Sequence, residues 1–90
     1  MFIQTDVCRR DDQGRAIWTL TRVESGLPYD LGLSLFYYWR SVMRQSVGEG
    51  FVEAAQVDLC TDDNKIVRSW ASDMDAAGRR PWDVEVNNEN

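Results

Sequence analysis

Three carboxylates that lie close together in the sequence are the groups best suited to chemistry in this chain. Asp58, Asp62 and Asp63 could bind a hard divalent cation, and Asp73 and Asp75 could approach them. Their spacing does not follow the pattern of a calcium-binding loop, and aspartate also favours turns because its carboxylate bonds to nearby backbone N–H groups. A cation-dependent hydrolase is therefore only the third hypothesis, and we expect no metal site.

Other catalytic arrangements lack their residues. The chain contains no histidine, which removes Ser-His-Asp and Cys-His nucleophile systems and most zinc sites. Its glycines stand apart rather than in a phosphate-binding loop, and no acid is marked as a buried proton donor. We predict that the protein is not an enzyme and uses no cofactor.

Two cysteines, Cys8 and Cys60, fall in predicted strands. Two are too few for a disulfide scaffold, so we expect buried free thiols. The N-terminus lacks the apolar core of a signal peptide, and no apolar run approaches the roughly 20 residues that span a bilayer. A cytoplasmic location without membrane contact is the expectation.

The charge is negative and unevenly distributed. The net charge is −5, with +1 in residues 1–45 and −6 in residues 46–90. Direct binding to nucleic acid is disfavoured, because that affinity depends on Lys and Arg neutralising phosphates. The same electrostatics favour a basic protein partner, or one whose own surface receives nucleic acid. The alternative is that the negative surface only keeps the domain soluble.

The acids of the C-terminal half form one candidate binding surface. If several converge, they would resemble a row of phosphates to a DNA-binding groove; otherwise they form a generic acidic surface. The acids concerned are Glu53, Asp58, Asp62, Asp63, Asp73, Asp75, Asp83 and Glu85.

The residues 31–47 have the pattern of an amphipathic helix, with Asp30 as its N-cap and Gly48 as its C′ residue. One broad face is predicted to pack on a sheet. It consists of Leu31, Leu35, Phe36, Tyr38, Trp39, Val42, Met43 and Val47.

The opposite helix face is a second candidate binding surface. Leu33, Tyr37, Arg40 and Arg44 recur at i, i+4, i+7 and i+11 and therefore form one line. Tyrosine and arginine are enriched at binding hot spots. The alternative is that the loop of residues 25–28 covers Leu33 and Tyr37 while the arginines pair with acids.

The remaining segments predict a small α+β domain. Strands are expected at residues 2–9, 15–24, 51–60 and 65–71, a helical turn at 72–78 and a final strand at 82–86. The order ββ-α-ββ-(α)-β predicts an antiparallel sheet of about five strands with the long helix packed on one face. We expect residues 1–90 to form one domain that is frayed at 87–90.

The chain contains the short segments Glu24-Ser25, Leu27-Pro28, Thr61-Asp62-Asp63-Asn64 and Pro81-Trp82. Together these segments resemble the family of the small phage inhibitor of uracil-DNA glycosylase. In that family an acidic strand edge imitates the DNA backbone, and the resemblance implies that Glu24 and Ser25 contact the target. In size, acidity and lack of catalytic apparatus, the chain is also similar to small phage-encoded inhibitors in general, including anti-CRISPR proteins.

Two binding hypotheses result. The first is a protein-binding module that blocks or adapts a larger host protein or protein–nucleic-acid complex through the acidic surface and the helix face. The second is a homo-oligomer whose aromatic side chains are covered by a second copy. The aromatics considered for this role are Trp18, Phe36, Trp70 and Trp82. Monomer and homodimer both stay open.

Overall fold

The computed structural model describes residues 1–72, which form one antiparallel sheet and one helix. The elements are β1 (Phe2–Arg10), β2 (Ala16–Glu24), α1 (Tyr29–Gly48), β3 (Ala54–Cys60) and β4 (Ile66–Ala71). The strand order is β2-β1-β3-β4, with every neighbouring pair antiparallel. The predicted α+β class is confirmed, with four strands in the described part. The predicted helical turn at 72–78 and the fifth strand at 82–86 lie outside it.

The β1–β2 hairpin closes through the predicted turn. Gly14 has φ +79°, a left-handed conformation that glycine adopts without a Cβ penalty. The Asp11 carboxylate accepts hydrogen bonds of 2.9 Å from the backbone N–H groups of Gln13 and Arg15. The bond from Arg15 is the main cause of the lowered pKa of Asp11. Local turn chemistry therefore fixes this connection.

The hydrophobic core lies between α1 and the two central strands. Ile3 of β1 pairs with Leu59 of β3, and both side chains are fully buried beside Val57 and Phe36. Completely burying side chains of this size contributes about 1.5–3 kcal/mol each. All seven residues of β3 are buried, so this strand is the centre of the domain.

The predicted N-cap is wrong. The helix begins at Tyr29, and Pro28 holds the N-cap position without a side-chain hydrogen bond. Proline is suited to a helix start because it has no backbone N–H to satisfy and its φ is already near the helical value. Asp30 lies instead in the first turn, where its negative charge interacts favourably with the helix dipole.

The end of α1 also differs from the prediction. Gly48 is the last helical residue and Glu49 is the C-cap. The N–H of Phe51 donates to the carbonyl of Ser46 at 2.9 Å, so this residue completes the helix end rather than opening a strand. Strand β3 consequently begins at Ala54 and not at Phe51.

The predicted core face of α1 is only partly correct. Phe36 is 2% exposed, and Trp39 and Met43 pack against the core. Leu31 and Tyr38, however, are exposed. Leu33, predicted on the outer face, packs against the core. The sheet covers a narrower arc than the apolar residues occupy.

Both cysteines are buried and free, as predicted. Cys60 lies opposite Phe2, six residue steps along β1 from Cys8, so about 20 Å separates the two cysteines. That distance excludes a disulfide. Burial raises the pKa of the Cys60 thiol to about 11, and the Asp58 carboxylate adds to the shift. Within residues 1–72 no helix is long and apolar enough to cross a membrane.

Candidate functional site

Two contacts orient α1 over the sheet. The indole N–H of Trp39 donates to the carboxylate of Glu24, at the end of β2, at 3.3 Å. The guanidinium carbon of Arg44 lies 5.8 Å from the ring centroid of Trp70 in β4. One side of the helix therefore faces β2, and the other faces β4.

The two sides of α1 each carry a line of four residues. At 100° per residue, these two lines lie on opposite sides of the arc of α1 that contacts the sheet. The β4 flank consists of Leu33, Tyr37, Arg40 and Arg44, and the β2 flank of Leu31, Leu35, Tyr38 and Val42.

Each arginine of the β4 flank lies against an aromatic ring. The guanidinium carbon of Arg40 lies 4.8 Å from the ring centroid of Tyr37, a cation–π geometry. Tyr37 is exposed, and its ring meets Phe36 edge-on at 5.2 Å. Together with the Arg44–Trp70 contact, these pairs form a row of rings and guanidinium groups that contacts the core through Phe36.

The alternative for this flank was that its residues are covered or paired within the domain, and only Leu33 is covered. Leu33 is half-buried against the core and is not part of an exposed surface. Among the described residues, neither Arg40 nor Arg44 forms an ion pair with an acid, and their neighbours are aromatic rings instead. Both arginines therefore keep donors for a further acceptor.

One donor of Arg40 lacks an acceptor. Its Nε is buried and has no hydrogen-bond partner within the described residues. A buried donor left unsatisfied costs about 1–3 kcal/mol. Such a group is uncommon in a native protein and calls for an explanation, which can be a functional role.

Three of the predicted acids lie at one end of the sheet. Ile3 pairs with Glu24 on one side and Leu59 on the other, which places the end of β2 and the β3–β4 turn at the same end. Asp62 in that turn is 3.2 Å from the N-terminal ammonium group. Beside it, the Thr61 hydroxyl donates to Asp63 and lowers its pKa.

Asp58, another of the predicted acids, is not at this surface. Asp58 is 2% exposed, and its carboxylate accepts hydrogen bonds from the amide of Gln56 at 2.7 Å and from the hydroxyl of Ser69. Asp73 and Asp75 lie outside the described residues. Within residues 1–72, no group of three or more His, Cys, Asp or Glu side chains could hold a metal ion.

An open groove at the opposite end of the sheet has no counterpart in the predictions. It encloses about 530 Å³ and is bordered by Arg9 and the exposed Phe51. Arg10 closes one side through two bonds to the Glu53 carboxylate, of 2.6 and 2.7 Å, and this pairing lowers the pKa of Glu53. No local pattern signalled the groove, because it joins residues of β1 to the loop after α1.

Comparison with known proteins identifies no relative. No protein-family model matches the chain, and neither a curated protein nor a solved structure is significantly similar to it. The functional argument therefore depends on the chain's own geometry.

Proposed function

We propose that this domain is a non-enzymatic protein-binding module that inhibits or adapts a larger macromolecular machine of the host. The observation that carries the proposal is that both arginines of the β4 flank lie against aromatic rings, Arg40 against Tyr37 and Arg44 against Trp70 of β4. Tyrosine, tryptophan and arginine are enriched among the few residues that carry most of the binding energy at protein interfaces.

The acidic end of the sheet supports a basic partner. Glu24, Asp62 and Asp63 lie at the end of the sheet where α1 begins. Negative side chains near a partner's basic groove accelerate association and exclude partners of the same sign. Machines whose grooves receive nucleic acid fit this description, as the resemblance to small phage inhibitors implies. We place the action in the cytoplasm, where free thiols such as Cys8 and Cys60 persist.

The test compares two neighbouring tyrosines on opposite flanks. Affinity capture from a host lysate, read by mass spectrometry, would use the wild type, Tyr37→Ala/Arg40→Glu and the control Tyr38→Ala. We expect the double variant to lose a partner that the wild type and the control retain. Equal retention of every partner by all three proteins would exclude the β4 flank.

A second measurement tests the acidic end. With the captured partner purified, its affinity would be measured against salt for the wild type and for Asp62→Asn/Asp63→Asn. Exposed charges are screened within about 10 Å at 0.1 M salt, so wild-type affinity should fall as salt rises. The variant should bind more weakly at low salt and show a smaller salt dependence. Identical salt curves would remove these acids from the interface.

A second candidate function is a homo-oligomeric structural or interaction protein. It is favoured by the exposed Leu31 and Tyr38 on the β2 flank, which the sheet leaves uncovered. Of the aromatics considered for this role, Phe36 is buried and Trp70 half-buried, whereas Trp18 is partly exposed. Trp82 lies outside the described residues.

A further inference from the structure

A third arginine lies beside the β4 flank. Arg68 of β4 pairs with Leu59, whose side chain is in the core beneath α1, so the Arg68 side chain is on the helix side of the sheet. Trp70 is two residues farther along β4 and therefore on the same side, where it packs against the core. Arg68 thus shares a sheet face with the ring that Arg44 contacts.

The helix and β4 run in the same direction. The N–H of Leu27, just before α1, donates to the carbonyl of Met1 at 2.9 Å. The N–H of Glu53, after α1, donates to the carbonyl of Cys8 at 2.8 Å. The helix therefore runs from the start of β1 toward its end. Strand β4 has the same direction as β1, because both are antiparallel to β3, which lies between them.

This common direction places Arg40 and Arg68 near the same level of the domain. Arg40 precedes Arg44 by about one helical turn, or about 6 Å, and Arg68 precedes Trp70 by about 7 Å along the strand. Because Arg44 and Trp70 are in contact, the other two residues are displaced from that contact in the same direction by similar distances. We call Arg40, Arg44 and Arg68 the arginine cluster.

The arginine cluster has no carboxylate partner in the part of the chain that the structure describes. None of its members is in an ion pair there. The single acid of α1, Asp30, is ten residues or about 15 Å before the first of these arginines. In the turn before β4, Asp62 interacts with the N-terminal ammonium group and Asp63 with the Thr61 hydroxyl. Three positive side chains are therefore left without a carboxylate within residues 1–72, although the net charge of the chain is −5.

A buried donor of Arg40 is a second, independent sign that the cluster takes an acceptor. Its Nε has no hydrogen-bond partner within residues 1–72, although the side chain as a whole is only half-buried. An unsatisfied buried donor destabilises the free protein, and binding of an acceptor removes that cost. A ligand with negative charge and hydrogen-bond acceptors is therefore favoured over an apolar one.

We propose that the arginine cluster binds the carboxylates of an acidic segment of a protein partner. Arg40 and Arg44 each lie over a ring, and a cation–π contact uses no N–H group of the guanidinium. A carboxylate fits these donors, because it accepts two parallel hydrogen bonds from a planar guanidinium. Such binding rests on the proposed function of the β4 flank and specifies the chemistry of the partner that binds there.

The rings argue against nucleic acid as the ligand. Single-stranded nucleic acid stacks its bases on open aromatic faces and places its phosphates in a positive groove. Here a guanidinium lies over each ring, Phe36 meets Tyr37 edge-on, and Trp70 packs against the core. A net charge of −5 also opposes a continuous row of phosphates. An acidic protein segment needs only a few carboxylates and no open ring.

The arginine cluster and the acidic end of the sheet carry opposite charges. The cluster lies beside the second half of α1, whereas Glu24, Asp62 and Asp63 lie where α1 begins. A partner with a basic groove and a neighbouring acidic segment would match both regions. Repulsion between like charges would exclude the reversed orientation.

The experiment titrates a short acidic peptide into isotope-labelled protein and follows its nuclear magnetic resonance signals. The probe is a peptide of about six glutamates, which spans about 20 Å when extended. The arginine Nε–H signals and the Trp70 indole N–H signal report binding at the cluster. We expect them to shift saturably with a Kd on the order of 1 mM, since each exposed ion pair contributes little. The same peptide with glutamine in place of glutamate should leave these signals unchanged.

Variants that remove one charge locate the binding site. Arg40→Gln and Arg68→Gln should each raise the Kd about threefold, because each removes one guanidinium–carboxylate contact. The matched control is Arg9→Gln, which loses the same charge and should bind like the wild type. Arg9 is exposed and forms no ion pair within residues 1–72, but it lies near the end of β1 and away from β4. Circular dichroism checks folding, and Arg68→Gln alone decides the result if Arg40→Gln is unfolded.

The titration can overturn the proposal in several ways. Cluster signals that do not shift with the glutamate peptide, or that shift equally with the glutamine peptide, would exclude carboxylate binding. Cluster variants that bind no more weakly than Arg9→Gln would place the binding elsewhere. A thymidine oligonucleotide of the same length that binds more tightly than the peptide would assign the surface to nucleic acid. Cluster signals that shift when the protein alone is concentrated would assign it to a second copy.

The titration and the lysate experiment can fail separately. If Tyr37→Ala/Arg40→Glu loses a partner in the lysate but the peptide does not bind, the β4 flank binds a protein without using carboxylates. The proposed function then stands, and carboxylate recognition is wrong. If the peptide binds as expected but no partner is captured, carboxylate recognition stands and the proposed function loses its support.

Discussion

Residues of one type have different roles according to where the fold places them. Asp58 and Asp62 are four positions apart and look equivalent in the sequence as candidate contact acids. Asp58 is buried in β3, where the Gln56 amide donates to it, whereas the Asp62 side chain is 83% exposed in the turn. The first is a structural carboxylate, and only the second is available to a partner.

This difference gives the first prediction. Asp58→Ala should lower the free energy of unfolding by about 1–3 kcal/mol, because it leaves buried donors without their acceptor. Asp62→Ala should change it by no more than about 0.5 kcal/mol, since exposed ion pairs contribute little. Urea denaturation measures both. Equal effects of the two variants would contradict the assignment.

The raised pKa of Cys60 gives a second prediction, on pH. The folded state keeps the thiol protonated to about pH 11, whereas an unperturbed thiol ionises near pH 9.0. Between these values the unfolded state loses its proton first, so the free energy of unfolding should fall as pH rises. Denaturation at pH 8, 9 and 10 would show this fall. The fall should be smaller in Cys60→Ala, and an unchanged fall would exclude Cys60 as the cause.

At the scale of the element, α1 lies close to the sheet at a glycine. A Cβ added to Gly32 would lie 3.0 Å from the Cδ1 atom of Leu59, a fully buried core residue. Glycine normally weakens a helix interior by about 1 kcal/mol relative to alanine. Here its missing side chain lets α1 lie close over β3.

The third prediction compares two glycines of the same helix. Gly32→Ala should lower the free energy of unfolding by about 1 kcal/mol, because overpacking against Leu59 outweighs the gain in helix propensity. Gly48→Ala should raise it by up to about 1 kcal/mol, since nothing lies within 4 Å of the added Cβ. Denaturant titration of both variants decides this. A stabilising Gly32→Ala would mean that the helix lies farther from β3.

Element boundaries were less predictable than element types. The hairpin turn follows from Asp11 and Gly14, whose preferences act over a few residues, and it is where the sequence places it. The start of β3 was wrong by three residues, because backbone bonds at the end of α1 include Phe51. Alternation of apolar and polar residues alone does not distinguish a strand from a segment whose backbone bonds to the end of a helix.

For the whole molecule, electrostatics oppose self-association and assist partner binding. Each copy carries a net charge of −5. Two copies repel each other at a distance, whereas a basic partner is attracted. Salt screens both the repulsion between copies and the attraction of a basic partner. Changing the salt concentration therefore distinguishes self-association from partner binding.

The fourth prediction follows from this opposition. Raising NaCl from about 20 mM to about 300 mM, which shortens the screening length several-fold, should tighten the homo-oligomer of the second candidate function and weaken partner binding. Sedimentation equilibrium measures the first effect, and titration with the captured partner measures the second. A dimer that dissociates as salt rises would mean that ion pairs, and not exposed apolar side chains such as Leu31 and Tyr38, hold the copies together.

Part of the candidate site could be predicted from the sequence. The sequence predicted the line of Tyr37, Arg40 and Arg44, because helical spacing alone fixes which residues share a line. It did not reveal the contact of Arg44 with Trp70 or that of Trp39 with Glu24, since each joins α1 to a strand distant in sequence.

The sequence by itself determined the α+β class, the first hairpin turn, the long helix and the two buried free thiols. Each follows from residue preferences acting over one turn or one strand. Only the tertiary structure decided the strand order β2-β1-β3-β4, the burial of Asp58 and which arc of α1 meets the sheet. The apolar residues of α1 extend around more of the helix than one sheet face can cover. Long-range packing therefore had to select which of them are buried and which stay exposed at the surface.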